Sequence, residues 1–251
     1  MMKINAIVAM AMLSAASFVC ASGWASAQST SQIVCHGASI SSGQNASKGQ
    51  YTATGTTYEA TLAAKLGDGW KVTNVGHPGW TIDQLDKAAP GEVDSLYDPK
   101  LSENVLIILA GTNNLNGYHQ SAETTFAKME AYCKARKAAH PWKILVVTLP
   151  MSGKMDEGFK PDLDAAFVRY AGLVRRNWRQ FADGVVDIQA DPRFGAPGAE
   201  FDSRYFHPRD HTHLTDAGYE IVGRTAAKAV TKLVSRPLAP SKNSQVKDSK
   251  R

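Results

Sequence analysis

Apolar and polar positions along this chain follow two periods. Three unbroken apolar runs, Ile33-Val34-Cys35, Val105-Leu106-Ile107-Ile108-Leu109-Ala110 and Ile144-Leu145-Val146-Val147, read as strands buried on both faces. Trp70-Lys71-Val72-Thr73-Asn74-Val75 and Val185-Val186-Asp187-Ile188 are weaker strand patterns. Between them the period changes. Residues 58–66 place Tyr58, Leu62 and Leu66 on one helical stripe, and Gly67-Asp68-Gly69 ends it. A helix is expected from about Thr81 and another over 122–139. A third, over 162–182, carries Leu163, Phe167, Tyr170, Val174 and Trp178 on one face. The last, over 216–234, has Thr215 as its N-cap. Residues 41–57 are rich in Ser, Gly, Thr and Asn and read as a long loop; residues 189–209, with Pro192, Pro197 and Pro208, read as another. Strands alternating with helices predict an α/β fold, a parallel sheet of about five strands covered on both faces.

The two ends differ from this body. Lys3 precedes an apolar run from Ala6 to Val19, and Ala25-Ser26-Ala27 supplies small residues for cleavage. Residues 1–27 are therefore expected to be a secretory signal peptide, which places the protein in the periplasm or outside the cell. The apolar run is too short and too broken for a membrane anchor. Residues 28–236 form the expected domain, and 237–251 a disordered basic tail. Most of the formal net charge of +5 lies in Lys3 and in that tail, so the body is close to neutral and nucleic-acid binding loses its main support. Export permits a disulfide between Cys35 and Cys133, but their apolar surroundings equally suit buried free thiols.

Candidate chemistry falls at strand ends. Ser39 follows the first strand, Gly79 the second and Asn113 the third, and Asp210 and His213 come after the fifth. In an open parallel sheet these ends line one crevice. A serine hydroxyl needs a base to take its proton, and a histidine oriented by a carboxylate is such a base. Asp210 and His213, three apart, can meet across one turn. A glycine amide at Gly79, the Ser39 amide and the Asn113 side chain can hold an oxyanion. Each block alone is an ordinary turn; the case rests on their convergence. Asp210, His211 and His213, with His207, also offer metal-ligand types, but alternating neighbours seldom converge on one ion, and no HExxH or CxxC motif is present.

The ordered blocks Gly37-x-Ser39-Ile40, Gly79, Gly111-x-Asn113 and Asp210-x-x-His213-Leu214 resemble the SGNH (GDSL-type) hydrolase family over residues 33–234. The resemblance implies a flavodoxin-like three-layer α/β/α fold and ester or thioester hydrolysis without metal or organic cofactor. It implies Ser39 as nucleophile, His213 as base, Asp210 as its partner, and Ser39, Gly79 and Asn113 as the oxyanion hole. Two positions depart from the pattern: Ala38 stands where the family usually has Asp, and Asn114 replaces a frequent Asp. The expected substrate is a short acyl group, acetyl above all, on a saccharide, with Tyr51, Trp80 and Tyr118 available either to stack on a sugar or to pack. Lysophospholipids and thioesters are the rival substrates. A saccharide O-acyltransferase with the same triad and a non-catalytic carbohydrate-binding protein are the other readings.

Overall fold

The computed structural model of the protein describes residues 30–153 and 161–235. The expected signal peptide and basic tail lie outside the described residues. The rest is a five-stranded parallel sheet in the order β2-β1-β3-β4-β5, formed by β1 (Ser31–Gly37), β2 (Trp70–Gly76), β3 (Glu103–Leu109), β4 (Lys143–Val147) and β5 (Gly184–Val186). The helices are α1 (Tyr58–Leu66), α2 (Ile82–Glu92), α3 (Ala122–Ala139), α4 (Pro161–Asn177), the single-turn α5 (Pro192–Gly195) and α6 (Asp216–Val234). Helix α1 packs on α6, while α3 packs on α2 and α4, the pairing expected of layers on opposite faces of the sheet. This is the three-layer α/β/α arrangement read from the sequence. No described helix is long and apolar enough to cross a membrane.

The central strands owe their place to composition. Residues 105–109 of β3 are buried on both faces, and the strand sits between β1 and β4 with Cys35 and Leu145 flanking Ile107. Strand β2 lies at the sheet edge and is only partly buried, consistent with its mixed pattern. The strand order reverses between β1 and β3, and the chain leaves both at the same end. That is the switch point at which such sheets open a crevice.

Three boundaries differ from the sequence reading, each for a local reason. Strand β1 continues through His36 and Gly37, because His36 is fully buried and its Nδ1 lies 2.6 Å from the Tyr132 hydroxyl. Strand β5 stops at Val186 rather than Ile188. Asp187 turns out of the sheet, where its carboxylate accepts two bonds from Arg175 (2.7 and 2.8 Å) and one from Thr148 (3.0 Å). Ile188 then starts a 3-10 turn. Helix α4 ends at Asn177, whose side chain donates back to the Leu173 carbonyl at 2.9 Å, and a 3-10 turn over Trp178–Gln180 completes the segment. Phe167, Tyr170 and Val174 of the predicted stripe are fully buried. The 189–209 segment, read as a loop, contains α5 and a 3-10 turn at Ala199–Phe201.

Cys35 and Cys133 are both buried and free. Burial pushes both thiols well above their ordinary range. They are therefore expected to resist a thiol reagent in the native state and to react once the chain is unfolded; native labelling at both would contradict the packing described. Ile107→Ala is expected to lower stability by about 2–5 kcal/mol, read from the urea midpoint.

Candidate active site

The turns that follow β1, β2 and β3, around the switch point, carry Ser39, Gly79 and Asn113. Ser39 lies in the turn leaving β1 and is 8% exposed. That turn is built around its backbone: the Ser39 carbonyl accepts from the Ser42 hydroxyl at 2.8 Å and from the Gln44 N–H at 3.0 Å, while Ser42 N–H donates to the Ala38 carbonyl at 3.0 Å. Ala38 is buried and its N–H donates to Leu109. The turn is thus held by serines and main chain where the family usually has an Asp. Among the described residues, no acceptor takes the Ser39 N–H.

Gly79 follows β2 with φ +80°, the left-handed region that favours glycine, and a Cβ there would meet nothing within 4 Å. Its N–H likewise has no acceptor among the described residues. Asn113 opens a short π-helical turn after β3, Asn113–Gly117. Its side-chain amide donates to the Trp80 carbonyl at 2.8 Å, which ties it to the Gly79 turn and leaves its second N–H available. Asn114, the second departure from the family pattern, is fully buried. Its Oδ1 accepts from Ile82 N–H at 3.1 Å and so holds the first turn of α2.

Asp210 and His213 meet as their spacing suggests. Asp210 Oδ1 accepts from the Thr212 N–H (3.0 Å) and the His213 N–H (2.9 Å), and Oδ2 lies 3.0 Å from His213 Nδ1. Asn45 adds a fourth bond to Oδ2 at 2.9 Å. Burial opposes the charge on this carboxyl, but the side-chain and backbone bonds from His213 and Thr212 outweigh it and hold Asp210 well below the usual carboxylate range. An ionised Asp210 only accepts, so Nδ1 carries the imidazole proton and Nε2 keeps its lone pair. His213 Nε2 is buried and has no hydrogen-bond partner.

Two sets of bonds fix this dyad. From the β1 side come Asn45 to Asp210, the Ser47 N–H and hydroxyl to Asp216 (2.8 and 2.5 Å), and the Tyr219 hydroxyl to the Gln44 carbonyl (2.6 Å). From the β4 side, Gly153 N–H donates to the His211 carbonyl (2.7 Å) and Thr212 Oγ1 to the Gly153 carbonyl (2.8 Å). Thr215 caps α6 by accepting from Gly218 N–H.

Residues 35–221 match the family described as GDSL-like lipase/acylhydrolase. The chain belongs to this family. Its members hydrolyse esters, and the five-stranded parallel sheet flanked by helices is the fold of its solved relatives. No protein of curated function matches by sequence. Solved structures of similar fold include a carbohydrate acetylesterase from Sinorhizobium meliloti (TM-score 0.56, 18% identity, 80% of this chain and 99% of that one). Another is a catalytic mutant of an acetylxylan esterase from Geobacillus stearothermophilus (0.59, 17%, 81% and 95%). A third is the aryl esterase of M. smegmatis (0.54, 17%, 80% and 99%). At these identities the likeness speaks of the fold alone.

The structure does not gather the histidines that a metal reading would use. His211 Nδ1 faces the Glu200 carbonyl at 3.3 Å and His207 Nδ1 accepts from Arg209, while both Asp210 oxygens are taken by N–H donors. Among the described residues one grouping has metal-ligand geometry: His36, His77 and Glu92, with a donor atom from each within 4.8 Å of the others. Sequence reasoning missed it, and it missed Asn45. In sequence Asn45 is one polar residue of a polar loop, and its left-handed φ of +66°, which asparagine tolerates, emerges only in the fold. Its partner lies 165 residues away.

The Asp210 carboxyl is held below its unfolded-state value of about 3.9, so the stability it contributes is fully present above that value and is lost as pH falls through the lowered folded-state value. The Tm gap between the parent chain and Asp210→Asn is expected to be widest near neutrality and to close below about pH 4; a gap that widens in acid would contradict this. Asn45→Ala is expected to cost about 1–3 kcal/mol of stability and to lower turnover, measured by thermal unfolding and ester hydrolysis.

Proposed function

We propose that this chain is an exported serine esterase that removes short acyl groups, acetyl above all, from saccharides through an acyl-enzyme. The observation that carries the mechanism is the buried His213 Nε2, unpartnered and backed by an ionised Asp210. In this reading His213 takes the Ser39 proton as Oγ attacks the ester carbonyl, and the carbonyl oxygen gains negative charge. The Ser39 and Gly79 N–H groups and the free N–H of Asn113 receive that charge. His213 then gives the proton to the departing sugar hydroxyl. Water, deprotonated by the same nitrogen, releases the acid and frees Ser39. None of these steps asks for a metal or organic cofactor.

The saccharide half of the proposal rests on less. Tyr51 and Tyr118, at 55% and 61% exposed, do not pack in the core and are free to stack on a sugar. Trp80 is already stacked on His77, with ring centroids 3.9 Å apart. Two of the solved structures with this fold are a carbohydrate acetylesterase and an acetylxylan esterase. The expected signal peptide agrees with polysaccharide outside the cytoplasm as the target.

Ser39→Ala is expected to abolish hydrolysis of p-nitrophenyl acetate and labelling by a fluorophosphonate; activity retained in that variant would remove the nucleophile from the scheme. Asn113→Ala should lower kcat by about 10²–10³. Across p-nitrophenyl esters of increasing chain length, acetate is expected to be hydrolysed fastest, and a preference for long chains would favour a lipid-like substrate instead.

A further inference from the structure

Beneath the Gly79 turn lies a cluster that the esterase chemistry does not use. His36 ends β1 and is fully buried. Its Nδ1 is engaged with the Tyr132 hydroxyl at 2.6 Å, and its Nε2 has no hydrogen-bond partner. A buried ring nitrogen left without a partner carries a desolvation cost that some ligand would relieve. The His77 ring meets the His36 ring edge-on, with centroids 6.2 Å apart. His77 Nε2 lies 2.7 Å from Glu92 Oε2, and one donor atom from each of the three residues falls within 4.8 Å of the others. The His77 and Glu92 side chains are 27% and 35% exposed, so the cluster opens to solvent on one side and is closed by His36 on the other.

We propose that His36, His77 and Glu92 form a binding site for a divalent transition ion of the Zn²⁺ type. Two imidazole nitrogens and one carboxylate oxygen are a donor set that such ions take, with the fourth position left to water. In the tautomer that ligates, His36 Nδ1–H donates to the Tyr132 hydroxyl and Nε2 presents its lone pair, so this outer bond orients the ring. Arg136, whose charge also reaches His36, is itself paired with Asp94 and Asp86. The site joins three elements: the end of β1, the turn after β2 and the last turn of α2. His77 N–H also donates to the Gly37 carbonyl at 2.9 Å, and its ring carries Trp80. An ion here braces the turn that presents the Gly79 N–H; it takes no part in bond making.

The test uses the full chain, freed of metal with a chelator, and reads binding rather than turnover. Co²⁺ is expected to give the visible absorption of a tetrahedral N/O site at one ion per chain, and Zn²⁺ to displace it. Zn²⁺ at a hundredfold excess over its Kd should raise Tm by about 5 °C or more. Glu92→Gln and His77→Asn should abolish the Co²⁺ band, and Tyr132→Phe, which leaves all three ligands in place, should weaken binding roughly 10–100-fold. His207→Asn should change nothing. Absence of both the band and the Tm shift at millimolar metal overturns the proposal and leaves an ordinary His77–Glu92 ion pair. Binding undiminished in Glu92→Gln and His77→Asn overturns it equally, by placing the ion elsewhere.

Discussion

One carboxylate oxygen, Asp210 Oδ2, receives a bond from His213 on its own loop and another from Asn45 in the strap that follows β1. This shared acceptor is the constraint on which the rest of the site depends. Ser39 and His213 leave the sheet at opposite ends of the sequence, and no strand pairing relates them. What relates them is the strap, bonded at Gln44, Asn45 and Ser47 to Tyr219, Asp210 and Asp216. Backbone around Ser39 is in turn bonded to Gln44. The turn at Ser39 is therefore linked to the His213 imidazole through a short series of hydrogen bonds.

The same logic governs the other two strand ends. Gly79 and Asn113 come from different strand ends, and the bond from Asn113 to the Trp80 carbonyl makes them one unit. Asn114, beside it, holds α2 by its first N–H. Loops are usually the mobile part of a fold. Here each is tied to a second loop, so the sheet supplies the approximate placement and the cross-bonds supply the final geometry.

Much of this was legible in the chain. The apolar runs of β1, β3 and β4 and the helical stripe of α4 identify the layers, because a doubly buried strand and an amphipathic helix have different periods. The candidate site is legible as motifs at strand ends, and the Asp210–His213 contact is one that their spacing of three allows. What was not legible depends on tertiary pairing. Asp187 looks like strand until Arg175 draws it out of the sheet. Asn45 is one polar residue in a polar loop until its partner is known. His36 and His77 are unremarkable in sequence because parallel pairing of β1 with β2, not any local spacing, brings their strand ends together.

The strap has a further property. Beyond its bonded stem, the segment from Lys48 to Thr56 closes on itself: Thr56 N–H donates to the Lys48 carbonyl at 3.0 Å and Lys48 N–H to the Thr56 hydroxyl at 3.1 Å. Tyr51 stands exposed at its tip. The tip is also bonded to the turn that carries Ser39: the Tyr51 N–H donates to the carbonyl of Ser42, whose own hydroxyl and N–H hold that turn. A change in the length of residues 48–56 is therefore felt at Ser42. A change of side chain at Tyr51 leaves that backbone bond in place, so this position can vary in chemistry while its backbone stays fixed.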